Sequence, residues 1–118
     1  TSLTPLELAL ELRVDSSTVD YVRQLAVLAQ ESGCDGIVCS PEEIETVRWA
    51  CGPDLLIVTP GVRPTWADMG DQRRVMTPAD AVRAGADYIV VGRPITAADD
   101  PVSASQRIAD EIASVKRV

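Results

Sequence analysis

Gly85-Ala86-Asp87-Tyr88-Ile89-Val90-Val91-Gly92-Arg93-Pro94-Ile95-Thr96 is the stretch that decides the fold. It reads as a helix stop, a short strand, a glycine turn and a new helical turn. A glycine just past a helix end suits a residue that must take positive φ. The apolar run that follows is short and does not alternate, as expected of a strand covered on both faces. The same unit occurs twice upstream. Gly33-Cys34-Asp35 precedes Gly36-Ile37-Val38-Cys39, and Gly52-Pro53-Asp54 precedes Leu55-Leu56-Ile57-Val58.

The helix starts repeat as well. Thr4-Pro5-Leu6-Glu7, Ser40-Pro41-Glu42-Glu43 and Thr77-Pro78-Ala79-Asp80 share one pattern. The hydroxyl can cap the first free N–H groups, and proline fits the first helical position because its missing N–H had no partner there. The acidic residue completes or approximates a capping box. These signals predict helices near 18–32, 41–51, 77–84 and 101–116. In the first, Val19, Val22, Leu25, Ala26 and Ala29 share a face. In the last, Val102, Ile108, Ile112 and Val115 do, behind a cap at Asp100 followed by Pro101. Leu6–Leu12 alternates like a strand, but its capping box favours a helix.

Strands alternating with helices imply a parallel sheet, either a (β/α)8 barrel or an open doubly wound sheet. No G-x-G-x-x-G opens a helix here, which weakens the open, dinucleotide-binding form. A complete barrel takes roughly 200 residues or more. With 118 residues the chain supplies about three strand–helix units behind a leading helical segment. The expectation is one partial-barrel domain over 1–118, the C-terminal half of a (β/α)8 barrel, either a piece or a part completed by a second chain. A half barrel leaves sheet edges that natural proteins avoid.

Composition narrows the chemistry. Hydrophobic residues make up 46% of the chain and its net charge is −7. A general nucleic-acid surface is therefore not expected, since such surfaces depend on many Lys and Arg contacts to phosphate. No apolar run reaches the length of a membrane span, and the N-terminus lacks a signal-peptide layout. The expected location is the cytoplasm. The chain holds no His and a single Lys, Lys116. The cysteines, Cys34, Cys39 and Cys51, are odd in number and not spaced for zinc. They read as buried or half-buried reduced thiols.

In barrels the chemistry sits at the C-terminal ends of the strands. After the second apolar run come Thr59-Pro60-Gly61-Val62-Arg63-Pro64 and a loop reaching Met76. After the third come Gly92-Arg93-Pro94-Ile95-Thr96. If the third run is the last strand, these are the loops after strands 7 and 8, where many barrels bind phosphate. Gly92 would let the backbone approach an anion, a helical start would present N–H groups, and Arg93 would supply a forked donor. The long loop adds Arg63, Asp71, Gln72, Arg73 and Arg74, with Gly70 as a candidate hinge. Long loops in compact domains often bind. The other reading is a solvated surface loop with Arg–Asp pairs.

The combination T-P-G-V-R-P, G-D-Q-R-R-x-M-T-P and A-G-A-D-Y-I-V-V-G-R-P-I-T resembles bacterial orotidine 5′-monophosphate decarboxylases. The likeness runs over the whole chain, including D-G-I-V-C-S and the opening T-S-L. G-D-Q-R-R is its most specific part. G-R-P-I is shared with related phosphosugar barrels. The resemblance implies a barrel of the ribulose-phosphate-binding type. It implies conversion of orotidine 5′-monophosphate to uridine 5′-monophosphate and CO2, with no cofactor or metal. It places Thr1, Arg63, Gln72, Gly92 and Arg93 at substrate-contacting positions. Arg93 and the Gly92–Arg93 backbone would hold phosphate, with Arg63 in the same region. Gln72 would bridge phosphate and base, Thr1 (or Ser2) would bond the base, and Pro60 would pack near the ring. It also implies a homodimer. The family's catalytic Lys and Asp array, including an Asp-x-Lys-x-x-Asp run, does not occur here, so catalytic residues are expected in an N-terminal half. The chain alone should be inert. A related sugar-phosphate aldolase and a non-catalytic phosphate-binding half barrel are the alternatives.

Overall fold

The computed structural model describes residues 3–67 and 76–115. Helix α1 (Pro5–Leu10) is followed by α2 (Thr18–Glu31), strand β1 (Gly36–Val38), a 3-10 turn (Pro41–Glu43) running into α3 (Ile44–Cys51), and β2 (Leu56–Thr59). Then come α4 (Pro78–Ala84), β3 (Tyr88–Ile89), the short α5 (Arg93–Thr96) and α6 (Pro101–Ala113). The strands form one parallel sheet in the order β1-β2-β3. Gly36 pairs with Leu56, Val38 with Val58, and Val58 with Tyr88.

The helix starts obey the expected chemistry with one exception. Thr4 and Glu7 form a complete capping box, which resolves the ambiguous first segment as a helix. Ser17, Thr77 and Asp100 each accept an N–H from the third helical residue. Ser40 does not cap. Its hydroxyl donates to the Glu43 carboxylate instead, and the chain enters a 3-10 turn before α3. At the helix stops, Gly52 (φ +79°) and Gly85 (φ +123°) take the left-handed conformation that the sequence predicts. Gly85 is doubly constrained, because an added Cβ would lie 3.2 Å from the Arg48 side chain.

The core lies on one side of the sheet. Ile37, Ile57 and Ile89 face it, and Ile44 and Val47 of α3, Ala26 of α2 and Ala81 of α4 close over them. Each large aliphatic side chain fully buried there contributes about 1.5–3 kcal/mol. Glu43, in the 3-10 turn, is buried, and burial raises its carboxyl pKa, opposed by its hydrogen bonding with Ser40. Burial likewise pushes the Cys39 thiol up to about 11, with Glu43 adding to it.

The other sheet face is open. Val38 is 70% exposed and Tyr88 61%, with Leu56 and Val90 exposed beside them. This corrects the expectation of strands covered on both faces: helices cover one face only. Gly36 shares the open face, where a Cβ would come within 2.7 Å of the Leu56 Cβ. The accessible surface is 7946 Å², against about 6,200 Å² for a compact monomer of this mass. The apolar helix faces are corrected too. Val19 and Leu25 of α2 and Val102 of α6 are exposed, although Ala26 and Ile108 on the same helices are buried. Cys34 is exposed, not half-buried as expected, while Cys39 and Cys51 are buried.

At the N-terminal ends of the strands one residue ties three elements together. Arg48 on α3 donates to the carbonyls of Gly52, Leu55 and Gly85 and to the Asp87 carboxylate at 2.6–2.9 Å. Asp87 also accepts the Ile57 N–H at 2.9 Å. At the far side of α4, Glu111 of α6 accepts the Ala79 N–H at 3.1 Å, a carboxylate at a helix start where it is favoured.

Candidate functional site

The opposite, C-terminal ends of β2 and β3 carry the candidate site. Beyond Thr59 the chain turns through Gly61 (φ +73°). Val62 then forms a parallel bridge with Met76, and the Arg63 N–H donates to the Met76 carbonyl at 3.0 Å. The two ends of the long loop are thus fastened side by side, just before Thr77 caps α4. A turn follows, closed by Ala67 N–H donating to the Pro64 carbonyl at 3.1 Å. Pro64 is fully buried, which anchors the turn.

Beyond β3, Gly92 caps α5 from outside and Arg93 opens it. The Ile95 and Thr96 N–H groups fold back onto the Gly92 carbonyl. An added Cβ at Gly92 would meet no atom within 4 Å, so the space beside this backbone is open. Pro94 has no N–H, so of this first turn the Arg93 N–H is the donor left, among the described residues, without a backbone acceptor and suited to an anion.

These two segments line one open cleft of about 410 Å³. Arg63, Trp66 and Ala67 form one wall, and Arg93, Pro94, Ala97 and Asp99 belong to the other. Arg63 is only 8% exposed, and Arg93 is exposed. The fold therefore brings together two arginines thirty positions apart in sequence, both named from the sequence. Two cations facing one concavity suit a ligand with several anionic oxygens, which guanidinium groups bind in forked pairs. The Asp99 carboxylate at the rim sets a limit on that positive potential.

Thr1, Ser2 and Gln72 lie outside the described residues, as do Gly70, Asp71, Arg73, Arg74 and Lys116. Sequence reasoning missed Trp66 and Arg107. The Arg107 guanidinium of α6 lies 4.2 Å from the centre of the Trp66 ring, next to the cleft. No spacing rule connects a loop tryptophan to a helix arginine forty-one positions later, so only the fold reveals the pair. Among the described residues no three His, Cys, Asp or Glu side chains converge to hold a metal, and no helix is long and apolar enough to cross a membrane.

Comparison with known proteins agrees with this fold. The model of the orotidine 5′-phosphate decarboxylase / HUMPS family matches residues 1–108. The chain is 55% identical over 115 residues to orotidine 5′-phosphate decarboxylase of Gloeothece citriformis, covering 98% of this chain and 50% of that protein. It is 56% identical over 116 residues to the enzyme of that name from Moorella thermoacetica, covering 98% and 46%. The crystal structure of orotidine 5′-phosphate decarboxylase from Lactobacillus acidophilus superposes with a TM-score of 0.83 at 38% identity, over 97% of this chain and 46% of that one. The chain spans about half the length of the relatives it matches. Its parallel sheet is accordingly part of a (β/α)8 barrel, and the chain belongs to the orotidine 5′-phosphate decarboxylase / HUMPS family.

Proposed function

We propose that this chain is the phosphate-gripping half of an orotidine 5′-monophosphate decarboxylase, the enzyme that releases CO2 from orotidine 5′-monophosphate to give uridine 5′-monophosphate. The observation that carries the reading is the convergence of Arg63 and Arg93 on one cleft at the C-terminal ends of adjacent strands. The likeness to relatives of that name over nearly the full chain supports it. Arg93 and the Gly92–Arg93 backbone hold the phosphate, and Arg63 stands behind it. Gln72 reaches phosphate and base, and Thr1 bonds the base. The active enzyme works in the cytoplasm as a homodimer.

The chain contributes binding energy rather than bond-breaking groups. Its single lysine is Lys116, and it has no histidine. The groups that remove the carboxylate and protonate the ring come from strands that complete the barrel over the open face of Val38, Leu56, Tyr88 and Val90. Phosphate held far from the reacting carbon still matters to rate when its binding energy is expressed in the transition state.

The test is a spectroscopic decarboxylation assay with orotidine 5′-monophosphate, run on this chain and on the chain joined to a family N-terminal half. The expected result is no turnover by the chain alone and turnover by the completed barrel. A well-folded completed barrel that is inactive on this substrate yet active on another sugar phosphate would replace the reading with a sibling activity. The open face also suits a second reading, a half barrel that assembles without catalysis. Turnover in the completed barrel removes it.

A further inference from the structure

We infer that Trp66 is a positioning residue, held by Arg107, that fixes the width of the arginine cleft. The inference rests on the phosphate reading above and adds to it how the two walls are kept in register. Arg63 and Trp66 belong to the segment after β2, whereas Arg93 opens α5 after β3. Backbone bonds fasten the first segment at its stem, through Arg63 to Met76, and close its turn, through Ala67 to Pro64. Neither bond reaches the other wall. The Trp66 ring does, because Arg107 on α6 lies 4.2 Å from its centre. Helix α6 follows α5 after four residues and packs against it. It is seated by the buried Ala104 and Ile108 on either side of Arg107 in sequence. The contact therefore spans from the wall that carries Arg63 to the unit that carries Arg93.

A cation over an indole face is attracted by the ring's electron density, most strongly for tryptophan. Arginine is the suited partner because its flat guanidinium also stacks. Arg107 thereby offers its charge to the ring, which itself lines the cleft. Removing the contact frees Trp66 to change rotamer and the Arg63 wall to shift. A misplacement of about 1 Å in a positioned group can cost about 100-fold in rate, so a small shift of this wall is felt at the site.

The chain has two tryptophans. Trp49 is 87% exposed on α3, so Trp49→Phe leaves Trp66 as the sole indole and its emission reports the cleft. Inorganic phosphate is the probe, with affinity read by calorimetry and by Trp66 emission. The expected results are phosphate binding that Arg93→Ala abolishes, about fivefold weaker binding and a red-shifted emission in Arg107→Met, and partial recovery in Arg107→Lys. Trp66→Leu should cost about as much as Arg107→Met, with no further loss when the two are combined, because one contact is being removed twice. Trp66→Phe, which keeps a ring, should recover part of the loss. Absent phosphate binding, or binding indifferent to Arg93, would overturn both the phosphate reading and this inference. Arg93-dependent binding with Arg107→Met equal to its parent would overturn this inference alone. So would losses that multiply in the double variant, since Arg107 would then act through space by its charge. Arg107 is exposed, so its two variants decide the matter even if Trp66→Leu does not fold.

Discussion

The two ends of the sheet use arginine in opposite ways. At the N-terminal ends of the strands Arg48 spends its donors inside the protein, on three carbonyls and Asp87. At the C-terminal ends Arg93 is exposed beside a cleft, and among the described residues its guanidinium makes no hydrogen bond or ion pair. A guanidinium with satisfied donors holds a fold together. One whose donors face an open concavity has capacity left for a ligand. On the proposed reading, Arg48 serves the stability end and Arg93 the ligand end, and their hydrogen bonding differs accordingly. Barrels divide labour between their two ends in this way.

Exchanging the two arginines' roles breaks the comparison most sharply at the functional end. In a completed barrel Arg93→Ala should lower kcat/KM for orotidine 5′-monophosphate by about 100-fold or more, as loss of one well-aimed charged donor does, while leaving the urea midpoint near its parent's. A near-normal kcat/KM would remove Arg93 from the site. The mirror experiment is Arg48→Met. It leaves the Asp87 carboxylate without its counter-charge and three carbonyls without this donor, and should cost about 3 kcal/mol of stability, read from the urea midpoint, with phosphate affinity of the folded fraction unchanged. Loss of affinity there would show that the two ends are coupled rather than separate.

Gly85→Ala sharpens the same contrast. It forces a side chain onto a φ of +123° and against Arg48, and should destabilise by about 1–3 kcal/mol. The matching substitution Gly92→Ala meets open space and should cost less than Gly85→Ala. A larger effect at Gly92 than at Gly85 would reverse the assignment of the two ends.

The smallest expected effect concerns Glu43. Burial raises its folded-state pKa above the ordinary 4.5, so its stabilising contribution is complete below that value and is lost as pH rises through the raised folded value. Glu43→Gln keeps an acceptor for Ser40 and abolishes this loss. Its stability relative to the parent should therefore improve between about pH 4.5 and 7, seen as a widening gap in urea midpoints. A constant gap across that range would show that folding does not raise the Glu43 pKa.

Much of this was legible in the sequence because it is written in local chemistry. Thr4, Thr77 and Asp100 cap helices where a hydroxyl or carboxylate precedes proline. Gly52 and Gly85 adopt positive φ where a helix must stop before a strand. Arg63 and Arg93 could be placed near one another because strand ends share one rim of a parallel sheet. What was not legible depends on partners distant in sequence. Ser40 stands in the same hydroxyl–proline–x–acid pattern as Thr77 yet turns to Glu43, whose carboxylate is buried. The exposure of Val38 and Tyr88 depends on which other strands are present, which no local pattern encodes. Arg48 looked like any helix arginine until Gly85 and Asp87 arrived beside it from thirty-seven and thirty-nine positions away.

The sequential order β1-β2-β3 has a consequence for the long segment between β2 and α4. Gly36 to Leu56 closes a link of twenty positions, and Val58 to Tyr88 one of thirty. Loop-closure entropy grows only with the logarithm of length, so the longer link costs about 0.4 kcal/mol more than the shorter. Lengthening that connection is therefore nearly free in thermodynamic terms. Selection can extend, shorten or rewrite it to suit a ligand without renegotiating the stability of the sheet beneath.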